Sequence, residues 1–85
     1  MSINIEIRRA FFNNYAAYYE KVGNYSMASI MTDKAITIDI ESHDDISSAI
    51  DYNNKSVMLL KLSKWNEARK SLKQALLLLE PIVHL

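Results

Sequence analysis

The residues best suited to acid–base or metal chemistry gather in one stretch, Glu41-Ser42-His43-Asp44-Asp45, with Asp51 shortly after. A histidine flanked by carboxylates can hold a divalent ion or pass a proton. The same stretch reads as a helix start, in which Ser42 or Asp44 caps the following helix and its acids favour the positive end. We take the second reading. The other histidine, His84, lies beside the C-terminal residue and is expected to be exposed. There is no cysteine, which excludes disulfides, thiolate nucleophiles and thiolate metal sites. A single glycine cannot build a glycine-rich phosphate loop. Neither histidine offers a Ser–His–Asp arrangement. The expectation is therefore a chain that is not an enzyme, with no catalytic, metal-binding or cofactor-binding residues.

Charge offers a second kind of chemistry. Residues 33–51 carry six acids against Lys34, and residues 55–73 carry six bases against Glu67. Solvated helix faces account for most such runs. A sharper reading is head-to-tail attraction between molecules, or phosphate contacts from Lys61, Lys64, Arg69, Lys70 and Lys73. Over the whole chain 10 bases balance 10 acids, so there is no general drive toward nucleic acid or an anionic membrane. The aromatics Phe11, Phe12, Tyr15, Tyr18, Tyr19 and Tyr25 could stack on bases, but only Arg8, Arg9 and Lys21 accompany them. They read as core, except Phe11 and Tyr18, which fall off the main stripe and are candidate contacts.

These residues must be carried by helices. With 85 residues the chain makes one domain, and one glycine and one proline leave few breaks. Apolar residues recur at helical spacing in four segments. The first holds Phe12, Tyr15, Ala16, Tyr19 and Val22, capped by Ser2 or Asn4 and stopped at Gly23. The second holds Tyr25, Ala28, Met31, Ala35 and Ile38. The third holds Ala49, Tyr52, Ser56, Leu59 and Leu60. The fourth holds Trp65, Ala68, Leu72, Ala75, Leu76 and Leu79 and ends at Pro81. The fold class is all-α, four antiparallel helices. No apolar run reaches the ~18–20 residues of a membrane span. The opening Met1–Glu6 lacks the basic flank and apolar stretch of a signal peptide. A cytoplasmic protein is expected.

The chain also repeats itself. A shift of 40 residues sets Phe12 on Tyr52, Ala16 on Ser56, Tyr19 on Leu59, Gly23 on Ser63, Tyr25 on Trp65, Ala28 on Ala68 and Ala35 on Ala75. Large stays with large and small with small. Antiparallel helices approach closely where a small side chain faces the neighbour. Ala16 with Ala28, and Ser56 with Ala68, supply that pairing. The doubled pattern resembles the tetratricopeptide repeat, whose helix–turn–helix unit reads W-x2-L-G-x2-Y, then A-x3-F, then A and P. The matching residues are Phe12, Tyr15, Ala16, Tyr19, Ala28, Thr32 and Ala35 in one unit. In the other they are Tyr52, Lys55, Ser56, Leu59, Ala68, Leu72, Ala75 and Pro81. The units span about 8–40 and 46–81. The period exceeds the family's ~34, and the surplus predicts longer helices or a longer connection around 40–47.

The resemblance implies that the first helix of each unit lines a concave, peptide-binding surface. Those residues would be Asn13, Ala17, Glu20 and Lys21, then Asn53, Asn54, Val57, Leu60 and Lys61. Asn suits a peptide backbone and Lys a carboxylate. With Asn13 and Ala17 where a carboxylate clamp needs Lys and Asn, that clamp is absent. The C-terminal stretch raises a separate question. If Leu72, Ala75, Leu76 and Leu79 pack on the third helix, then Leu77, Leu78, Ile82, Val83 and Leu85 are left as an exposed patch, and such patches mark interfaces. A two-fold homodimer through the last helix would cover it.

The expected function is protein–protein interaction, as an adaptor, chaperone or assembly subunit binding a protein or peptide. The alternative is a nucleic-acid-associated regulator using the basic 55–73 segment. A mixed-sequence oligonucleotide titrated at increasing salt separates them. The regulator requires binding that falls steeply with salt, and the interaction module shows none even at low salt.

Overall fold

A computed structural model describes residues 4–83. It contains α1 (Ile5–Lys21), α2 (Tyr25–Glu41), α3 (Asp45–Lys61) and α4 (Trp65–Val83). The starts fall twenty residues apart, so the 40-residue repeat is two helices and two turns with nothing inserted. The surplus over a shorter repeat lies wholly in helix length. The expected longer connection around 40–47 is a three-residue turn like the other two.

The three turns share one geometry. Their middle residues, Gly23, His43 and Ser63, all have positive φ, at 82°, 55° and 60°. The N–H of the next residue reaches back to close the helix: Asn24 to the Tyr19 carbonyl at 2.8 Å, Asp44 to Asp39 at 2.9 Å and Lys64 to Leu59 at 2.9 Å. The middle residue's own N–H donates to Glu20, Ile40 and Leu60 respectively. This pair of bonds is the Schellman closure, which satisfies carbonyls a helix end would otherwise orphan. The residue that completes the closure then starts the next helix. Asn24 accepts from the Met27 N–H and Asp44 from the Ser47 N–H. Lys64 has no such acceptor, but its amine stands 4.0 Å from Glu67 in the first turn of α4. Asn4 caps α1 through the Glu6 N–H at 2.7 Å.

Pro81 lies inside α4, not at its end. Proline costs a helix the bond to the carbonyl four residues back. Here that carbonyl belongs to Leu77, an exposed residue in the final turns, so water can take the place of the missing N–H.

Packing runs from each helix to the next: α1 on α2, α2 on α3, α3 on α4. The seams are made of small residues. Ala28 and Ala35 are fully buried, and Ala16, Ala49, Ser48, Ser56, Ala68, Ser71 and Ala75 nearly so. Ala16, Ala28 and Met58 form one cluster, bringing α1, α2 and α3 together, with Tyr19, Tyr25 and Met31 against it. The Ser71 hydroxyl donates to the Tyr52 carbonyl at 2.7 Å, tying α4 to α3. Thr32 donates to the Ala28 carbonyl and touches the Met58 sulfur at 3.6 Å. Lys34 lies over the Phe12 ring at 5.8 Å, adding a cation–π contact between α2 and α1. The result is a plate of 40 × 35 × 14 Å.

A non-glycine residue in the left-handed region costs about 1–2 kcal/mol. Gly adds unfolded-state entropy but relieves that strain. Ser63→Gly is therefore expected to raise the urea midpoint, by about 0.5–1 kcal/mol of stability. Gly23→Ala should lower it by a similar amount.

Candidate functional site

The charged residues that the fold brings together are Arg9, Asp39, Asp44 and Asp51. Arg9 sits at the head of the α1 stripe that continues through Phe12, Ala16 and Tyr19. Asp39 follows Ala28, Thr32 and Ala35 on the buried side of α2 and is completely enclosed. Asp51 lies on the buried side of α3, seven residues before Met58. Arg9 Nε stands 2.6 Å from Asp39 Oδ1, and Arg9 Nη2 is 3.4 Å from Asp44 Oδ2. Neither Asp39 oxygen accepts a well-angled hydrogen bond from a fixed donor. The Asp51 carboxyl meets Asp39 and can supply the missing one. Burial, with the Asp39 carboxylate hydrogen-bonded beside it, pushes Asp51 up to about 8. Arg9 supplies the positive charge that faces the buried Asp39 carboxylate. Asp44 differs: the Ser47 backbone N–H and hydroxyl, then Arg9, hold its carboxyl below the usual range.

Above this cluster lies an open cleft of about 710 Å³ between the start of α1, the α2–α3 turn and the end of α4. Arg9, His43, Asp44, Ile46 and Ile82 are among its walls. Among the described residues, no group of three or more His, Asp or Glu side chains is arranged to hold a metal. His43 occupies the left-handed turn position, exposed. Asp44 is the residue that caps α3. Arg9 was not singled out from the sequence. The available signal was three charged residues on stripes otherwise built of small or apolar ones.

The residues assigned to a concave face are all exposed: Asn13, Ala17, Glu20 and Lys21 on α1, and Asn53, Asn54, Val57, Leu60 and Lys61 on α3. On α3 they share their face with Ile46 and Ile50, also exposed, so that side is more apolar than expected. A polar groove of about 420 Å³ instead lies along α2, α3 and α4, bordered by Asp33, Tyr52, Lys55, Lys70 and Gln74. Lys55 there is paired with Asp33 at 2.8 Å.

The last helix corrects the expected division of its leucines. Ala68, Ser71 and Ala75 bury against α3, with Leu78 and Leu79 half-buried. Leu72 and Leu76, expected to pack, are exposed together with Leu77 and Ile82. The small residues allow α4 to sit close to α3, and this turns Leu72 and Leu76 outward. Ile82 borders the cleft. The side chain of Val83, and Leu85, lie outside the described residues. Trp65, placed in the fourth stripe, is 67% exposed, and Tyr15 on α1 and Val22 just after it are exposed too. Among the described residues, no helix is long and apolar enough to cross a membrane.

Asp51 makes stability depend on pH. Its folded value lies above the ordinary ~3.9, so its contribution is full below about pH 4 and drains away as pH rises through about 8. Asp44, depressed, acts oppositely and loses its contribution as pH falls through the carboxylate range. Asp51→Asn keeps a donor for Asp39 without an ionisable proton. Urea unfolding at pH 5, 7 and 9 should show the wild-type decline on the alkaline side and a flatter profile for Asp51→Asn. Arg9→Met strands a buried carboxylate and is expected to cost about 3–5 kcal/mol at pH 7.

No family model, curated protein or solved structure matches this chain.

Proposed function

We propose that this chain is a non-catalytic protein–protein interaction module, tetratricopeptide-like in kind, which serves as an adaptor, chaperone or assembly subunit and self-associates through its last helix. One observation carries the reading: many of the large apolar side chains lie at the surface while the enclosed core is built mostly of small ones. Phe11, Tyr15, Tyr18, Val22, Trp65, Leu72, Leu76 and Leu77 are exposed, while the enclosed core is mostly alanine, serine and threonine with a few larger aliphatics. Isolated exposed apolar residues are ordinary on a protein surface. Rows of them at helical spacing on α1 and α4 are not, and such faces mark interfaces. A helical repeat buries its apolar faces only against neighbours or a polar cap, and neither end helix carries a cap among the described residues.

Light scattering during size-exclusion chromatography, over a concentration series, tests it. The expected result is a mass above 9.8 kDa that falls toward the monomer on dilution. Leu72→Glu combined with Leu76→Glu should return the mass to the monomer at all concentrations while helical circular dichroism is unchanged. A wild-type chain that stays monomeric at the highest concentration overturns self-association.

A further inference from the structure

The junction between α2 and α3 joins the two repeat units inside the chain, and its contacts are explicit. Asp33 pairs with Lys55, Thr32 touches Met58, and Asp39 meets Asp51. The 40-residue shift carries each α2 partner onto α4 and each α3 partner back onto α1. Asp33, Thr32 and Asp39 become Lys73, Leu72 and Leu79. Lys55, Met58 and Asp51 become Tyr15, Tyr18 and Phe11.

Five of these six equivalents are exposed on the two end helices, and Leu79 is half-buried. Thr32 is 2% exposed and Leu72 42%; Met58 is 3% exposed and Tyr18 58%. Asp51 is 5% exposed and Phe11 58%. These three positions are therefore shut inside the chain at the inner junction and open on the end helices. The chemistry changes in the matching direction on the two sides. Where the inner junction has a hydroxyl, two carboxyls and an ion pair, the ends offer leucine to tyrosine, leucine to phenylalanine, and lysine to a tyrosine ring. An apolar pair gains from leaving water without a geometric demand on protons or charges, and a lysine against tyrosine is favourable as a cation–π contact.

We infer that a second copy of this chain docks its α1 on the free edge of α4, repeating the α2–α3 junction between molecules. Leu72 then meets Tyr18 of the second copy, Leu79 its Phe11, and Lys73 its Tyr15. This rests on the self-association reading and commits it to a geometry that differs from a two-fold pair of last helices. The contact is head-to-tail, so an open assembly of any size keeps one free α1 and one free α4, and growth continues until a ring closes or copies run out. Its continuity with the inner junction is the argument for this occupant: the chain already contains the docked form of the same two faces.

A mixing experiment decides. Leu72→Glu blocks the α4 face and Tyr18→Glu blocks the α1 face, so each variant alone should run as a monomer under conditions where the wild type assembles. Each retains the face the other lacks. Mixed in equal amounts, they should form a one-to-one pair with a mass near twice 9.8 kDa that does not grow further. Both residues are exposed, so folding is checked by helical circular dichroism. Leu76→Lys with Phe11→Glu serves as a second pair should either variant unfold. If Tyr18→Glu assembles like the wild type while Leu72→Glu does not, the last helices pair with each other; the head-to-tail geometry is then wrong and self-association stands. Two monomeric variants that stay monomeric on mixing overturn the geometry as well. A monomeric wild type overturns both.

Discussion

Close approach between successive helices is the constraint on which the rest of this structure depends. Helix axes come nearest where side chains are smallest. Ala16, Ala28, Ala35, Ser48, Ala49, Ser56, Ala68, Ser71 and Ala75 supply that smallness in every seam. Once they occupy the seams, the large side chains have few inward positions left. Fourteen of the exposed large hydrophobics lie on α1, α3 and α4, and this follows from the seams rather than from a loose core. Three identical turns then hold the helices in antiparallel order. Each spends one left-handed residue to close one helix and start the next.

The Arg9–Asp39–Asp51 cluster answers a different need. Small-residue seams are smooth, and helices can slide along them without losing much contact. A buried charge set has one good arrangement. Asp39 is enclosed, with the Arg9 guanidinium at 2.6 Å and the Asp51 carboxyl against it. Those partners come from different helices, so a shift of α1 or α3 along α2 would leave a carboxylate without one of them. Buried ion pairs contribute little net stability against an apolar replacement, but removing one partner is costly. The cluster therefore sets register more than it adds stability, and it does so at the end of the plate where α1 begins and α2 ends.

The sequence made the helices legible because their boundaries are chemical. Asn4, Gly23 and Asp44 act where capping and turn rules place them. The repeat was legible because Ala28 and Ala68, and Ala35 and Ala75, are small in both copies and buried in both. What it hid was the direction of the leucines on α4. Ala75 and Leu79 lie on the packed side as expected, but the helix rotates so that Ser71 takes the inner position and Leu72 the outer. Hydrophobicity alone assigns leucine inward; only the tightness demanded by a small-residue seam reverses that. His43 and Ser63 were equally hidden as turn residues, since nothing in their side chains announces a positive φ. The buried acids were visible as residues yet not as a cluster, because Arg9, Asp39 and Asp51 are brought together by packing and not by spacing in the chain.

In the proposed assembly, one sequence repeat serves two purposes. Inside the chain, the junction between units must form once, in one register, during folding, and charges and hydroxyls suit that task because they punish error. A face that meets a second copy has no tether to hold it in place. Its attraction must outweigh the freedom lost on association, which is large. Apolar and aromatic groups meet that demand better than buried carboxyls, whose desolvation would offset much of what they gain. The replacement of Thr32 by Leu72, of Asp51 by Phe11 and of Met58 by Tyr18 across the repeat follows this division. Those substitutions are the ones that the proposed docking of a second copy would need.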